Sequence, residues 1–457
     1  MSSPAFPSNA SASTPLERAE ALLATRERRA HAELHAFALP APVGPGARLL
    51  ALAPDGASSF FATTTRELVG LEAATTLTAT GVERFAAIRT RATALFSQLS
   101  DPEGAVRLFG GFAFQPGRAA EDPWRAFGEA RFVLPRLTYE RRGDGARFVL
   151  VLSSRELEDR GARNEALRLL ERAHAALGNE IPATAALDRS VTLRERPESD
   201  WHAQVRAILD GIARGEIEKI VLARRVDALL PDRPDLPGLL ERLRELAPEC
   251  VRFALGVGSA VFLGATPERL VTKAGDRFET EAVAGSFPTG GDAPLRLLES
   301  AKDRFEQAIV LRQILDGLGP LALSLEAAST PELHVLRHVA HLRTRVRGVL
   351  RNDQHVLDLV ERLHPTPAVA GAPTARALAW IAEHEPDERG WYAGPVGFFD
   401  ARGDGEFVVA LRSGVLVDRT LSLYAGCGIV AGSEPESELV ETRWKLAALL
   451  GALGVSA

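Results

Sequence analysis

Only two cysteines, Cys250 and Cys427, occur in 457 residues, far apart and with no CxxC partner. Their scarcity fits a reducing compartment with no disulfide framework. No apolar run approaches the ~20 residues that a membrane-spanning helix needs. The first fifteen residues, MSSPAFPSNASASTP, lack both the basic start and the apolar middle of a signal peptide, and they read as a disordered tail. The formal charge is −6 and no helix carries a basic block, which argues against nucleic acid as a partner. Neither a Walker loop nor a GxGxxG in strand–helix context occurs, and GxSxG and HExxH are also missing. No repeat recurs at solenoid or propeller periods. The expectation is a cytoplasmic protein that binds neither membrane nor nucleic acid.

The residues that are present have ordinary globular proportions, 46% hydrophobic and 25% charged. Three segments are expected: a tail over 1–15, an N-terminal half over 16–195 and a catalytic region over 196–457. Residues 15–36 form a charged amphipathic pattern that opens on a proline, as helices do. Strand patterns follow in RLLALAP, FFATTT and RFVLVLSS, and Gly110–Gly111 within VRLFGGFAF marks a bulge or a close backbone approach. Residues 155–177 read as a helix and 178–200 as a linker. Ser199 is placed to cap the next helix, whose Val205, Ile208, Leu209 and Ile212 share a face. Short strands separated by turns then dominate, with TKAGDR as a hairpin tip. Antiparallel pairing predicts an α+β fold rather than a doubly wound sheet.

Four stretches carry candidate chemistry. In GEIEKIVLARRV the alternation puts Ile217, Lys219, Val221 and Ala223 on one face. A lysine there either snorkels to water or is a desolvated amine able to take a proton. In GATPERLV, Glu268 follows Pro267 between two strands, where loop residues are either solvated or functional. In the helix of ESAKDRFEQAIVLRQ, Ala301, Phe305, Ala308 and Ile309 are expected to face the core, with Glu299, Lys302, Asp303 and Glu306 on another side. The C-terminal segment passes from glycines Gly426, Gly428 and Gly432 into a helix with Glu438, Glu441 and Lys445 on one face. Carboxylates one turn apart repel unless water screens them or a cation such as Mg²⁺ sits between them. His334, His338 and His341 have helical zinc spacing, but the flanking VAHLRTRVRGVL alternates like a strand, which disfavours zinc.

Together these stretches resemble the chorismate-utilising enzymes, a family that includes isochorismate synthase, salicylate synthase and the first components of anthranilate and aminodeoxychorismate synthases. The resemblance rests on IEKIVLARR, LGATPERL, TEAVAGS, ESAKDRFEQAIVLRQ, VAHLRTRVRG, LHPTPAVAGAP, WYAGPVGFFD, VALRSGVL and YAGCGIVAGSEPESELVETRWKL, in the family's order, and more weakly on RLFGGFAF. It implies one large α+β unit of two packed antiparallel sheets flanked by helices. Lys219 resembles the members that use water rather than ammonia. Ala284 stands where some aminodeoxychorismate synthases carry a nucleophilic lysine, and Ala368 where salicylate-forming members tend to have threonine. An isochorismate synthase is therefore implied, in menaquinone or catechol siderophore biosynthesis, with salicylate synthase as the alternative. Also implied are Lys219 as base, Glu268 as acid, and Mg²⁺ on Glu306, Glu438 and Glu441. His341, Ala368, Tyr392, Arg412 and Lys445, with the backbone at Gly285, Ser286, Gly426 and Gly428, are implied to hold the substrate. A monomer without a glutaminase subunit is expected. Gln307 departs from the family, which usually has histidine there.

Overall fold

The computed structural model describes residue 19 and residues 32–53, 56–178, 191–288, 297–335 and 339–455. The strand Ala130–Arg142 organises it. One edge of this strand pairs with Arg66–Ala79 along nearly its whole length. The other edge is shared by Leu108–Phe112 at its start and Gly145–Ser153 at its end. The ladder therefore forks into two wings.

The first wing continues from Arg66–Ala79 through Ser58–Ala62, Val251–Val257, Ala260–Thr266, Ser413–Val417 and Thr420–Ile429 to Lys219–Leu229. The second runs from Leu108–Phe112 through Pro395–Phe399, Gly405–Val409, Arg269–Ala274 and Arg277–Pro288 to Val339–Leu350. These pairings are all antiparallel, as the α+β reading requires. The wings are the two expected sheets, joined through one strand rather than separate. At the fork the backbones crowd, and a Cβ on Gly110 would lie 1.9 Å from the Arg131 carbonyl oxygen, so a side chain cannot be admitted there.

Aromatic rings fill the space between the wings. Phe61 of the first meets Phe398 of the second edge to face, with centroids 5.2 Å apart, and Trp391 meets Phe262 likewise at 6.3 Å. The outer face of the first wing packs against the helices Arg160–Gly178, Leu236–Leu246 and Pro435–Ala452 through a second apolar cluster.

The chain steps from the first wing to the second at Pro267–Glu268 and returns at residues 410–412. The two crossings are stitched together. The Thr266 hydroxyl donates to the Val409 carbonyl at 2.6 Å, and the Val409 amide donates to the Glu268 carbonyl at 3.1 Å.

Several local expectations need correction. RLLALAP is a 3₁₀ helix over Gly46–Leu52, because a short apolar run has no period that separates strand from buried helix. The expected helix over 15–36 lies mostly outside the described residues, and its last residues belong to the strand Leu34–Pro40. The linker over 178–200 contains the strand Thr192–Glu195 and the start of the helix Glu198–Ala213. Pro197, not Ser199, holds the cap position of that helix. The helix at 155–177 is two, Ser154–Glu158 and Arg160–Gly178, broken at Asp159. In the helix Ala301–Leu318 the core stripe is turned: Ala301, Phe305 and Ala308 are exposed, Phe305 by 54%. Ile309 is buried as expected, and Gln307, Val310 and Ile314 face inward beside it. The hairpin tip at TKAGDR, with Gly275 at φ 61°, is as expected.

Candidate active site

A cavity of about 420 Å³ opens at the two crossings. Its wall includes Glu268, Gly285, Glu306, His341, Ala368, Tyr392, Arg412, Gly426, Gly428, Glu438, Glu441 and Lys445, so residues spread over the catalytic region converge. Ser286 lies in the same strand as Gly285, but its side chain is outside the described residues.

Lys219 begins the last strand of the first wing, on the face shared with Val221 and Ala223, and is fully buried. Its amine does not snorkel to water. Nor does it stand alone, because Nζ donates to Oε1 of Glu306 at 2.6 Å. Gly428 stands across the ladder from Val221 and makes room for this pair. A Cβ there would lie 2.6 Å from Glu306 Oε1 and 2.7 Å from Lys219 Cε. That clearance is the reason for glycine at 428. Gly432 differs: its φ of 83° serves the turn before the helix, and it does not line the cavity.

Glu268 sits on the crossing itself, 6% exposed, with its backbone amide donating to the Thr266 hydroxyl. Burial raises its carboxyl to about 8, and the negative charge of Glu281 adds to the effect, against the pull of Lys219 and Lys445. It is protonated at neutral pH.

On the helix Pro435–Ala452, Glu441 and Lys445 form an ion pair at 2.6 Å, and Lys445 also donates to the Gly426 carbonyl at 2.8 Å. Burial opposes the charge on Lys445, but Glu441 and its other neighbours hold the amine above its ordinary value. Burial pushes the Glu441 carboxyl up, and Glu438 and Glu306 add to this against Lys445. Three carboxylates thus crowd one dry wall. They are hard oxygen donors of the kind Mg²⁺ takes, so the donor set fits that ion in its chemistry. The arrangement is not yet a coordination sphere. Glu306 and Glu441 are each turned onto a lysine, and among the described residues no three His, Cys, Asp or Glu side chains converge closely enough to hold a metal.

Arg412, a neutral histidine and a tyrosine line another part of the cavity. His341 lies in the strand Val339–Leu350 opposite His334 of Glu332–Val335, which ends the helical zinc reading. Its Nδ1 donates to the Gly285 carbonyl at 2.9 Å while its Nε2 accepts from Arg412 at 3.1 Å, so the ring is neutral. Burial, reinforced by Arg412, pulls its pKa well down. The register shift between Ala284 and Phe287 sets Gly285 and Ser286 together opposite His341, a bulge that turns their backbone out of the ladder. Arg412 has φ 47° at the return crossing, unusual for a residue with a side chain. Tyr392 stacks on Tyr424 at 5.3 Å, and burial raises its hydroxyl to about 12, keeping it a hydrogen-bond donor.

Asp303, Arg389, Tyr424 and Trp444 also line the cavity and were not anticipated. Arg389 is buried and clamps the Lys219 strand, donating to the Val221 and Val369 carbonyls and pairing with Glu385. It lies in EHEPDERGW, which reads as a solvated acidic loop, so composition hides it. Tyr424 was inside the quoted YAGCG and could have been found as the aromatic partner of Tyr392. Gln307, in the place of the family histidine, is buried and donates to the Thr344 hydroxyl at 2.7 Å, a tie between helix and sheet.

Residues 21–454 match the family described as chorismate binding enzyme. The salicylate biosynthesis isochorismate synthase of Pseudomonas aeruginosa is 37% identical over 76% of this chain and 74% of that protein. The isochorismate synthase MenF of Bacillus subtilis is 33% identical over the same shares. Among solved structures, MenF, the menaquinone-specific isochorismate synthase of Escherichia coli, superposes with a TM-score of 0.80 at 27% identity, covering 96% of this chain and 99% of that one. Fold, cavity and sequence agree, and the chain belongs to the chorismate binding enzymes.

Proposed function

We propose that this chain is an isochorismate synthase that turns chorismate into isochorismate. Water adds at C2, the C4 hydroxyl departs, and the ring double bonds shift between them. The observation that carries the reading is Glu268: a buried carboxyl in the cavity wall that burial raises to about 8, with the fully buried Lys219 among the charges acting on it. Relatives bearing the isochorismate synthase name over three-quarters of the chain support it.

Glu268 gives its proton to the departing hydroxyl, and Lys219 takes one from the attacking water. Each transfer contributes roughly 10²–10⁴-fold. The base role needs a lone pair on Nζ, and hence a Glu306 carboxylate turned away from it. A place beside Glu438 and Glu441 in a cation site gives Glu306 that alternative. When bound, Mg²⁺ would neutralise the charge these carboxylates otherwise turn on the substrate's ring carboxylate. Arg412, with Tyr392, grips the side-chain carboxylate through paired donors. His341, Lys445 and the backbone at Gly285, Ser286, Gly426 and Gly428 complete the anion-binding wall, and Ala368 leaves space. Water as nucleophile removes the need for an ammonia-supplying subunit. The product serves menaquinone or catechol siderophore biosynthesis.

Purified protein incubated with chorismate and Mg²⁺ tests this. An equilibrium mixture of chorismate and isochorismate, without salicylate fluorescence, is expected. Steady release of pyruvate would make it a salicylate synthase instead, and no conversion would end the reading.

A further inference from the structure

Glu281 lies outside the cavity, yet it is tied to the residue that follows Glu268. Its Oε1 accepts the backbone N–H of Arg269 at 3.0 Å, and its side chain is almost wholly buried in the strand Arg277–Pro288. Arg269 and Glu281 line a second cavity of about 450 Å³, with Arg343, Arg345 and Arg347. The chain at 268–269 is thus a partition, with the acid facing one cavity and a carboxylate facing the other.

We propose that Glu281 is a positioning residue that keeps the proton on Glu268. Its charge stands behind the acid, and its hydrogen bond fixes the partition from which the acid projects. The inference rests on Glu268 acting as the proton donor. The neighbours divide cleanly in sign. Lys219 from the first wing and Lys445 from the C-terminal helix pull Glu268 toward ionisation, and Glu281 opposes them. Asp303 and Glu306 from the helix Ala301–Leu318, Glu438 and Glu441 from the C-terminal helix, and His341, Arg389, Tyr392, Arg412, Tyr424 and Cys427 are the other charged and titratable groups around its cavity. Burial pushes the Glu281 carboxyl up, and the Arg269 amide with the Arg343, Arg269 and Arg345 guanidiniums counters part of that shift, Arg343 at 3.8 Å. The role needs a charge rather than a particular shape. Glutamine at 281 keeps the acceptor for the Arg269 amide and removes the charge alone.

The test compares wild type, Glu281→Gln, Glu281→Asp and Glu268→Gln by two readouts. One is the infrared band of a protonated carboxyl, assigned by its loss in Glu268→Gln and followed with pH. The other is the pH profile of chorismate turnover. In Glu281→Gln the band and the alkaline limb of turnover should both move down by about one pH unit, the scale of one charge at an effective dielectric constant of about 20. Glu281→Asp should stay near wild type. If Glu281→Gln does not fold, Glu281→Thr, a strand former, replaces it. A Glu268 band that titrates unchanged in the charge-free variant overturns the inference. If the band moves while no variant or wild type converts chorismate, the assigned reaction fails and the placement of the proton stands.

Discussion

Lys219 Nζ and Glu306 Oε1 lie 2.6 Å apart with the lysine fully buried, so the candidate base and a candidate cation ligand are partners before any substrate arrives. Removing either leaves the other desolvated and unmatched. Lys219→Ala should abolish chorismate turnover by about 10²–10⁴-fold while substrate binding persists. Chromatography of the products and calorimetric titration with chorismate measure the two separately, and an unimpaired variant would remove Lys219 from the chemistry.

Gly428 gives a subtler test of the same pair. Gly428→Ala introduces a Cβ within 2.7 Å of the lysine stem, in an extended strand where alanine itself is tolerated. Stability should change little, while turnover falls by about 10²-fold, as displacement of a reacting group by an ångström does. Thermal unfolding alongside initial rates separates the two effects.

The pH dependence follows from Glu268. Its acid role requires the proton, which is lost as pH rises through about 8. The wild-type kcat/KM should fall above that value, and Glu268→Gln should be inactive at every pH while still binding chorismate.

Stability depends on the same proton. A carboxyl raised from 4.5 to about 8 by folding contributes stability that is complete below 4.5 and lost as pH rises through 8. Glu268→Gln has no proton to lose, so above pH 8 it should resist denaturant better than wild type, by on the order of 3 kcal/mol. Equilibrium unfolding at pH 6 and pH 9 checks the crossover.

Chelation addresses the cation. EDTA should stop turnover and Mg²⁺ should restore it. Glu438→Gln and Glu441→Gln should each weaken Mg²⁺ binding, read from the fluorescence of Trp444 in the cavity wall. A chelated protein that works at full rate would remove the metal from the proposal.

Much of this site was legible in the sequence because its parts are local signals. Glu268 follows a proline between two strands, and Glu438, Glu441 and Lys445 repeat at helical spacing. The alternation around Lys219 gave its face correctly. What the alternation could not give was its partner, since Glu306 is distant in sequence and meets it only through tertiary packing. The helix carrying Glu306 was turned the wrong way for a related reason. Apolar periodicity favoured Phe305 as core, whereas the polar Gln307 is buried by its bond to Thr344. Arg389 was hidden by acidic neighbours, and RLLALAP offered no period to distinguish helix from strand.

The forked ladder also gives the strands Ser58–Ala62 and Leu108–Phe112 a duty at its edges. Val251–Val257 takes its outer partner from Ser58–Ala62, and Pro395–Phe399 takes its own from Leu108–Phe112. Severed from those strands, residues 196–457 would offer two bare rows of amides and carbonyls to any like chain nearby, an invitation to edge-to-edge aggregation. Those two strands are what keep the edges beside them to themselves.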